Sequence, residues 1–453
     1  MTTSPQKISG LMSILHAPGA IFSLFPKLLD THWQRKRGTL GPLQVMLSLV
    51  TMSVLGCKGY ERTLNEMKER LSEVLQWTTG DDPPSGPALS QARRKLDPQR
   101  CREVVTQVRD LCTTARAEAA LGYGGFRLIA LDGTKFALPA YKAMIEHFGC
   151  PKQSPRGPQG SFTLLWDVGA NQPVDWLVGS YRTCERVHAQ EMVAHLGAGD
   201  LLLGDRNFSS RRILFALHAQ RVEWLMCVRS AGPGTFAEVN AFVASSFDDQ
   251  QFTLVQRDHQ GAVRQDAPQI PVRLLRLRLP DGSTSVFITS LVDSARHPAA
   301  TLLELYTARW RIETAFRELK IWHGLEHFHA RYPDGIHQEI AALMLFQLLS
   351  SELEAQARVQ MRNTITPPEP QGQPLQVRKL TVRFNRRTVA DCIANMLYAA
   401  AKGDDALRQA FDSSVKRIWR VRQTVKPGRS FPRERKSSAP GWRPYHDKKG
   451  KKA

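Results

Sequence analysis

The sequence predicts an α/β fold, with helical regions on either side of a mixed core. Across residues 126–229, short apolar segments typical of strands alternate with amphipathic segments typical of helices. Residues 252–257 and 272–292 follow a period of two, which is typical of antiparallel strands. Residues 306–320 return to the period of a helix. Together these patterns predict a mixed core that a β-rich insertion interrupts.

The regions before and after the core are predicted to be helical. The first has an apolar helix at residues 40–55, a charged helix at 61–75 and a basic helix pair divided near Pro98. The last begins with a proline-rich linker at residues 366–374, continues with two helices and ends in a basic tail. The predicted regions are residues 1–120 (helical), 121–230 (first part of the core), 231–300 (β-rich insertion), 301–365 (second part of the core) and 366–453 (linker, helices and tail).

The strands of the core are predicted from short apolar runs that have turn-forming residues at each end. The first run ends next to Asp132, and the fourth ends next to Asp205. A carboxylate at a strand end lies outside the apolar layer and can face solvent without burying its charge. The predicted strands are residues 126–131, 161–168, 175–181, 200–204 and 223–229, with helices at 188–196 and 209–220.

Four polar side chains within residues 306–320 have helical spacing. Tyr306, Arg309, Glu313 and Lys320 fall within about 60° of one another if the segment is one helix. The neighbouring stripe is apolar and would fix this polar face against a core. The alternative is an ordinary solvated face, whose ion pairs contribute about 0.2–0.5 kcal/mol each.

Three carboxylates, those of Asp132, Asp205 and Glu313, are candidates to share one site. Carboxylate oxygens are suited to one or two magnesium ions. Two such ions about 3.5–4 Å apart support phosphoryl transfer by activating the attacking oxygen and stabilising the leaving one. Each aspartate alone is a weak signal, because Asp-Gly is also a common turn dipeptide.

These residues resemble the DDE transposases of bacterial insertion sequences, in the group marked by a YREK signature. The four signature positions are present at their full spacing, and the DGT and DRNF segments resemble the two aspartate motifs of that group. The resemblance covers residues 127–331. It implies a ribonuclease H-like catalytic domain that uses magnesium or manganese, two ions per site, to cut the ends of its element and join them to target DNA.

The resemblance also implies a role for each position. The catalytic metal ligands would be Asp132, Asp205 and Glu313. The residues that bind phosphate and position the strand end would be Tyr306, Arg309 and Lys320. Such relatives use an aromatic residue of the insertion, usually tryptophan, to hold a flipped base, yet no tryptophan lies between residues 230 and 309. Candidates to replace it by stacking are Phe247, Phe252 and Phe287.

The charge of the chain agrees with a DNA partner. With 62 basic and 42 acidic residues, the formal net charge is +20, and residues 416–453 hold 14 Lys or Arg against two acidic residues, a net of +12. That tail is predicted to be disordered until it meets DNA. Arg93, Arg94 and Lys95 in the basic helix pair are further candidates for phosphate contact, with a solvated face as the alternative.

The same sequence argues against a membrane partner. It has no signal peptide and no apolar run of about 18 residues or more, and its seven scattered cysteines lack zinc spacing. We therefore expect a protein of the bacterial cytoplasm, associated with the nucleoid. The resemblance implies a homodimer on the terminal inverted repeats of an element. Two alternatives are a structure-selective nuclease of the same fold, which would not join ends, and a non-catalytic DNA-binding regulator descended from a transposase.

Overall fold

A computed structural model describes most of the chain between Leu40 and Thr424. The described residues are 40–56, 59–75, 83–112, 115, 124–152, 157–257, 262–263, 266–278, 282–321, 324–365, 382–400 and 404–424. The predicted proline-rich linker and the basic tail from Lys426 lie outside these residues.

The described elements alternate much as the apolar pattern predicts. The helices are α1 (Pro42–Leu55), α2 (Tyr60–Leu75), α3 (Gly86–Arg93), α4 (Pro98–Leu111), α5 (Lys142–Phe148), α6 (Glu185–Met192), α7 (Arg211–Ala219), α8 (Ala237–Ala244), α9 (Ala299–Ala308), α10 (Arg311–Ile321), α11 (Pro333–Ile365), α12 (Arg386–Ala400) and α13 (Asp404–Arg420). The strands are β1 (Arg127–Ala137), β2 (Gln159–Asp167), β3 (Gln172–Ser180), β4 (Asp200–Gly204), β5 (Glu223–Val228), β6 (Asp249–Val255), β7 (Gln269–Arg278), β8 (Thr284–Thr289), β9 (Val382–Arg383) and β10 (Gln423–Thr424).

An eight-stranded mixed sheet is the centre of the fold, in the order β3-β2-β1-β4-β5-β8-β7-β6. Strands β1, β2 and β3 pair antiparallel, and β4 and β5 continue from β1 in parallel. The period-two segments after residue 230 extend the same sheet, since β8 pairs with β5 and is followed by β7 and β6. Helices cover both faces of the sheet, so the predicted mixed α/β class is confirmed.

Two apolar layers hold the sheet, one on each face. The larger layer joins the N-terminal helices, α9, α10 and the long helix α11 to one face of β1 and β4. The other layer packs α6, α7 and α8 against the opposite face. Helix α11 has 33 residues and runs against α1 and α4, which ties the N-terminal helices to the core. Within the described residues, no helix is both long and apolar enough to cross a membrane.

Arg93 is not available to DNA, contrary to the sequence-based suggestion. Its side chain is fully buried and lies 2.9 Å from Glu339 Oε1. It also donates hydrogen bonds to the Tyr60 hydroxyl at 2.6 Å and to the Gly335 carbonyl at 3.0 Å. The suggestion of a DNA contact was wrong because the partners of Arg93 come from α2 and α11, which are far away in sequence. Its neighbour Arg94 is exposed, as the suggestion requires.

Replacing Arg93 by alanine is expected to destabilise the fold by about 3–5 kcal/mol, because the buried carboxylate of Glu339 would lose the guanidinium charge beside it. The melting temperature should fall by about 5 °C or more. Arg94→Ala serves as the matched control and should leave the melting temperature nearly unchanged. Differential scanning fluorimetry compares the two; a loss of DNA affinity by Arg93→Ala at an unchanged melting temperature would restore the DNA-contact role.

Candidate active site

The sheet opens at the point where β4 ends beside β1. The parallel pairing of these strands ends at Leu131 and Gly204. The residues that follow this last pair are Asp132 in β1 and Asp205 directly after β4. Strand β1 nevertheless continues to Ala137, six residues beyond the predicted end, because β2 still pairs with it there. Asp132 therefore lies within a strand, not at its end. The Asp132 side chain is accessible because β4 ends one position earlier and no longer covers that side of β1.

Local hydrogen bonds fix the orientation of both aspartate side chains. The backbone N–H of Gly133 donates to Asp132 Oδ1 at 2.8 Å. The backbone N–H of Asn207 donates to Asp205 Oδ1 at 2.7 Å in the turn that follows β4. Each carboxylate thus keeps an oxygen free of these local bonds for a further ligand.

The predicted single helix over residues 306–320 is two helices. Helix α9 ends at Ala308 and α10 begins at Arg311. At the junction the N–H groups of Arg309 and Trp310 bond to carbonyls three residues back, in the tighter 3₁₀ pattern. The prediction of one continuous polar face on one helix is therefore wrong. Helix α10 still buries Ile312, Ala315, Phe316 and Leu319 and packs on β1.

Arg309 occupies this junction and connects two of the carboxylates. Its Nη1 lies 3.8 Å from Asp132 Oδ2, and its Nη2 lies 3.4 Å from Glu313 Oε1. The side chain is only 7% exposed. Its guanidinium also lies 4.9 Å from the ring centre of Trp310, an exposed tryptophan at the mouth of the site. The structure thus brings Asp132, Arg309 and Glu313 together.

Tyr306 lies behind Arg309 and does not reach the surface of the site. Its ring is buried, packs edge-on against Phe287 at 4.6 Å between ring centres, and supports the Arg309 guanidinium at 5.6 Å. Burial raises the pKa of the Tyr306 hydroxyl, so the phenol stays protonated. In this arrangement Tyr306 is buried and contacts Arg309.

Lys320 connects α10 to the strand that bears Asp132. Its Nζ donates to the Lys135 carbonyl at 2.6 Å and to Thr134 Oγ1 at 3.0 Å. It also lies 3.6 Å from Glu326 Oε1, an oxygen that accepts from the backbone N–H of Ala137 at 3.3 Å. Lys320 and Glu326 therefore hold the DGT segment against the helix that carries Glu313.

The aromatic candidates of the insertion differ in their accessibility. Phe287 is buried against Tyr306, and Phe252 packs edge-on against Phe242 at 6.2 Å between ring centres. Phe247 is 57% exposed. Of the three, Phe247 alone presents most of its ring for stacking without a rearrangement. Trp310 is a further exposed ring, at the active-site helix junction and outside the insertion.

The Asp132 carboxylate lies in a buried setting close to two other carboxylates, those of Asp205 and Glu185. Burial, with smaller contributions from the charges of Asp205 and Glu185, raises the pKa of Asp132 to about 6. The hydrogen bond from Gly133 and the Arg309 guanidinium only partly offset this. An ionised carboxylate that is disfavoured in this way is stabilised by a bound cation.

This shift predicts that Asp132→Asn stabilises the protein in the presence of a chelator. A carboxyl whose folded-state pKa rises from 3.8 to about 6 loses stability as pH rises between those values, and the full cost is present above pH 6. The amide lacks that cost, which is at most about 3 kcal/mol. The melting temperature of the variant should exceed that of the wild type at pH 7.5, and the difference should narrow towards pH 4.5. A lower melting temperature of the variant at pH 7.5 would contradict this electrostatic account.

Two residues that face this site were missed by sequence reasoning. Glu185 begins α6, three residues before the predicted helix start, and lies against Gly133. Asn207 belongs to the DRNF segment and donates from Nδ2 to Glu185 Oε2 at 3.1 Å. The DRNF segment itself was a signal for Asn207. Glu185 carries no motif that would have identified it.

Comparison with known proteins places these residues inside one matched domain. Residues 124–349 match the family described as the transposase DDE domain. Over 317 residues the chain is 23% identical to the transposase InsG for insertion sequence element IS4 of Escherichia coli K12, which covers 67% of this chain and 68% of that protein. Among solved structures, a piggyBac transposase synaptic complex with hairpin DNA aligns over 93% of this chain and 87% of its own, at 12% identity and a TM-score of 0.40.

Proposed function

We infer that this chain, a DNA transposase with a DDE domain, cuts the ends of an insertion sequence and transfers them to target DNA through Asp132, Asp205 and Glu313. One observation carries this assignment. The β1–β4 ladder ends with Asp132 and Asp205 side by side, and Arg309 joins Asp132 to Glu313 across the helix junction. The three residues come from three separate parts of the matched domain.

Divalent metal ions fit this donor set by its chemistry. The available side-chain donors are carboxylate oxygens, which magnesium and manganese prefer, and burial, with the nearby charges of Asp205 and Glu185, disfavours the ionised form of Asp132 when no cation is bound. Within the described residues, no three His, Cys, Asp or Glu side chains are close enough to form a complete metal site. We propose that Asp132, Asp205 and Glu313 hold two ions after these side chains draw together. When bound, such ions activate the attacking oxygen and stabilise the leaving one.

The basic residues have separate tasks in this proposal. Arg309 offsets the charges of Asp132 and Glu313, and its planar fork would bind a phosphate of the DNA strand at the site. Lys320 keeps the DGT segment in register with α10 through its two bonds to β1. Tyr306 supports Arg309 from behind. The four positions follow the YREK spacing, and we propose membership of that group on this basis.

The finer fold assignment is also a proposal. The order β3-β2-β1-β4-β5, with antiparallel β1–β3 and parallel β4 and β5, supports a ribonuclease H-like core. Strands β6 to β8 and helix α8 then form the β-rich insertion between Asp205 and Glu313. We further propose a homodimer on the terminal inverted repeats, located with the DNA in the nucleoid.

A strand-transfer assay tests the function and separates it from the alternatives. The purified protein is incubated with a pre-cleaved element end, supercoiled target plasmid and Mg²⁺ or Mn²⁺. Joined products that require the 3′-hydroxyl of the end support a transposase. Cleavage of uncut ends without joining would support the structure-selective nuclease, and binding without either reaction would support the regulator.

Deleting residues 426–453 is expected to weaken DNA binding with little loss of sequence preference. The segment is rich in Lys and Arg, which contact phosphates and release counterions. The slope of log affinity against log salt should become shallower for the truncated protein. A gel-shift titration at several salt concentrations measures the slope, and an identical slope for both proteins would show that the tail does not contact DNA.

A further inference from the structure

We propose that Glu185 is a positioning carboxylate of the active site, which holds the DGT and DRNF segments in register and adds a fourth negative charge towards the divalent cations. This inference rests on the proposed function of Asp132, Asp205 and Glu313. Glu185 starts α6, an element outside the three segments that carry those residues.

The first contact of Glu185 is with the residue that follows Asp132. A Cβ atom placed on Gly133 would lie 2.5 Å from Glu185 Cδ and 2.6 Å from Oε1. The carboxylate therefore packs directly on the Gly133 backbone, and any side chain at this position would displace it. Because the Gly133 N–H also orients the Asp132 carboxylate, a shift of Glu185 would change the orientation of Asp132.

The second contact of Glu185 is with the turn that carries Asp205. Glu185 Oε2 accepts the hydrogen bond from Asn207 Nδ2 at 3.1 Å, and the backbone N–H of Asn207 orients Asp205 Oδ1 at 2.7 Å. The loop before α6 is also bonded to β1, since Lys135 Nζ donates to the Thr183 carbonyl at 3.4 Å. One side chain thus contacts the segments that orient both aspartates.

The charge of Glu185 acts on the same site. Its carboxylate packs on Gly133, which follows Asp132, and accepts from Asn207, two residues after Asp205, so its negative charge lies beside both aspartates. A residue needed only as a hydrogen-bond acceptor for Asn207 would serve equally well as glutamine. A fourth carboxylate instead strengthens the attraction of the site for a divalent cation. Mutation of a residue that orients metal ligands from outside typically lowers metal affinity or activity by about 10–100-fold.

Glu185→Gln separates these two roles, because the amide oxygen still accepts from Asn207 while the charge is lost. Manganese binding to the full-length protein is measured by isothermal titration calorimetry for the wild type, Glu185→Gln, Asp132→Asn and Glu191→Gln. Glu191 is the matched control, an exposed carboxylate on the same helix. Glu185→Gln should weaken manganese binding by about tenfold, whereas Glu191→Gln should change it by less than about twofold. End cleavage by Glu185→Gln should recover at raised manganese concentration, and its melting temperature should match that of the wild type.

The outcomes distinguish this inference from the proposed function. If Asp132→Asn weakens manganese binding and Glu185→Gln does not, the site stands and the role of Glu185 is overturned. Equal weakening by Glu185→Gln and Glu191→Gln would reduce the effect to net charge and would also overturn it. If the wild type binds no manganese, or Asp132→Asn binds it as the wild type does, the metal site itself is wrong.

Discussion

Asp132→Asn, Asp205→Asn and Glu313→Gln are each expected to lower end cleavage to less than about one thousandth of the wild-type rate, because each removes a ligand of the metal pair. Binding of the same duplex should persist, since affinity comes mainly from Lys and Arg contacts to phosphates. The amides keep the shape of the side chains, so the fold should survive. Single-turnover cleavage of a labelled element end and a gel shift on the same DNA measure the two properties separately.

The control for this prediction is Glu304→Gln, an exposed carboxylate on α9 that lies outside the site. It should cut at the wild-type rate. Glu326, another nearby acid outside the signature, is unsuitable because it is bonded to the Ala137 N–H and paired with Lys320. Near wild-type cleavage by any of the three site variants would remove that residue from the set of ligands.

The sheet was largely predictable because its strands are short apolar runs that turns separate. Leu201, Leu202 and Leu203, for example, are fully buried, and so short an apolar run between turn residues is typical of a buried strand. The placement of Asp205 directly after this strand followed from the same pattern. The continuation of β1 past Asp132 did not, because it depends on pairing with β2.

The helix break at Arg309 was not predictable from local sequence. Neither glycine nor proline is present at the junction, and the apolar positions keep their phase on both sides. The tight turn directs Arg309 inward to Asp132 and Glu313 while Trp310 remains exposed. The pair with Glu313, four residues on, follows from helical spacing, but the pair with Asp132 on β1 cannot be recognised from periodicity. Arg93 is a second case, since its partners Tyr60 and Glu339 belong to two other helices.

Glu185 is a third residue whose role could not be predicted from the sequence. Its interactions join residues of two motifs, yet it lies in neither, and a glutamate at a helix start is common because it favours the helix dipole. Only the close approach to Gly133 and the bond from Asn207 distinguish it. Motifs indicate residues that touch the reaction, whereas residues that orient them emerge from the folded arrangement.

Removing the side chain of Arg309 or Lys320 is expected to lower end cleavage or joining by about a hundredfold or more, the loss of a few kcal/mol of transition-state stabilisation. The two variants should differ in stability. Arg309 is buried between Tyr306 and Trp310 and paired with two carboxylates, so Arg309→Ala should also lower the melting temperature. Lys320 is more exposed and binds β1 through its ammonium, so Lys320→Met, which keeps the apolar stem, should lose rate with little change in melting temperature.

Arg309→Lys tests whether charge alone suffices at the helix junction. Lysine keeps one positive charge but cannot span Asp132 and Glu313 with a planar fork, so most of the rate should still be lost. The matched control is Arg317→Ala, an exposed cation on the same helix α10, which should cut at nearly the wild-type rate once binding is saturated. Single-turnover rates on a pre-nicked element end, with protein in excess, compare all four variants. A wild-type rate for Arg309→Lys would show that a single positive charge suffices at this position. Equal rates for the wild type, Arg309→Ala and Lys320→Met would remove both cations from the chemistry and leave them a structural role only.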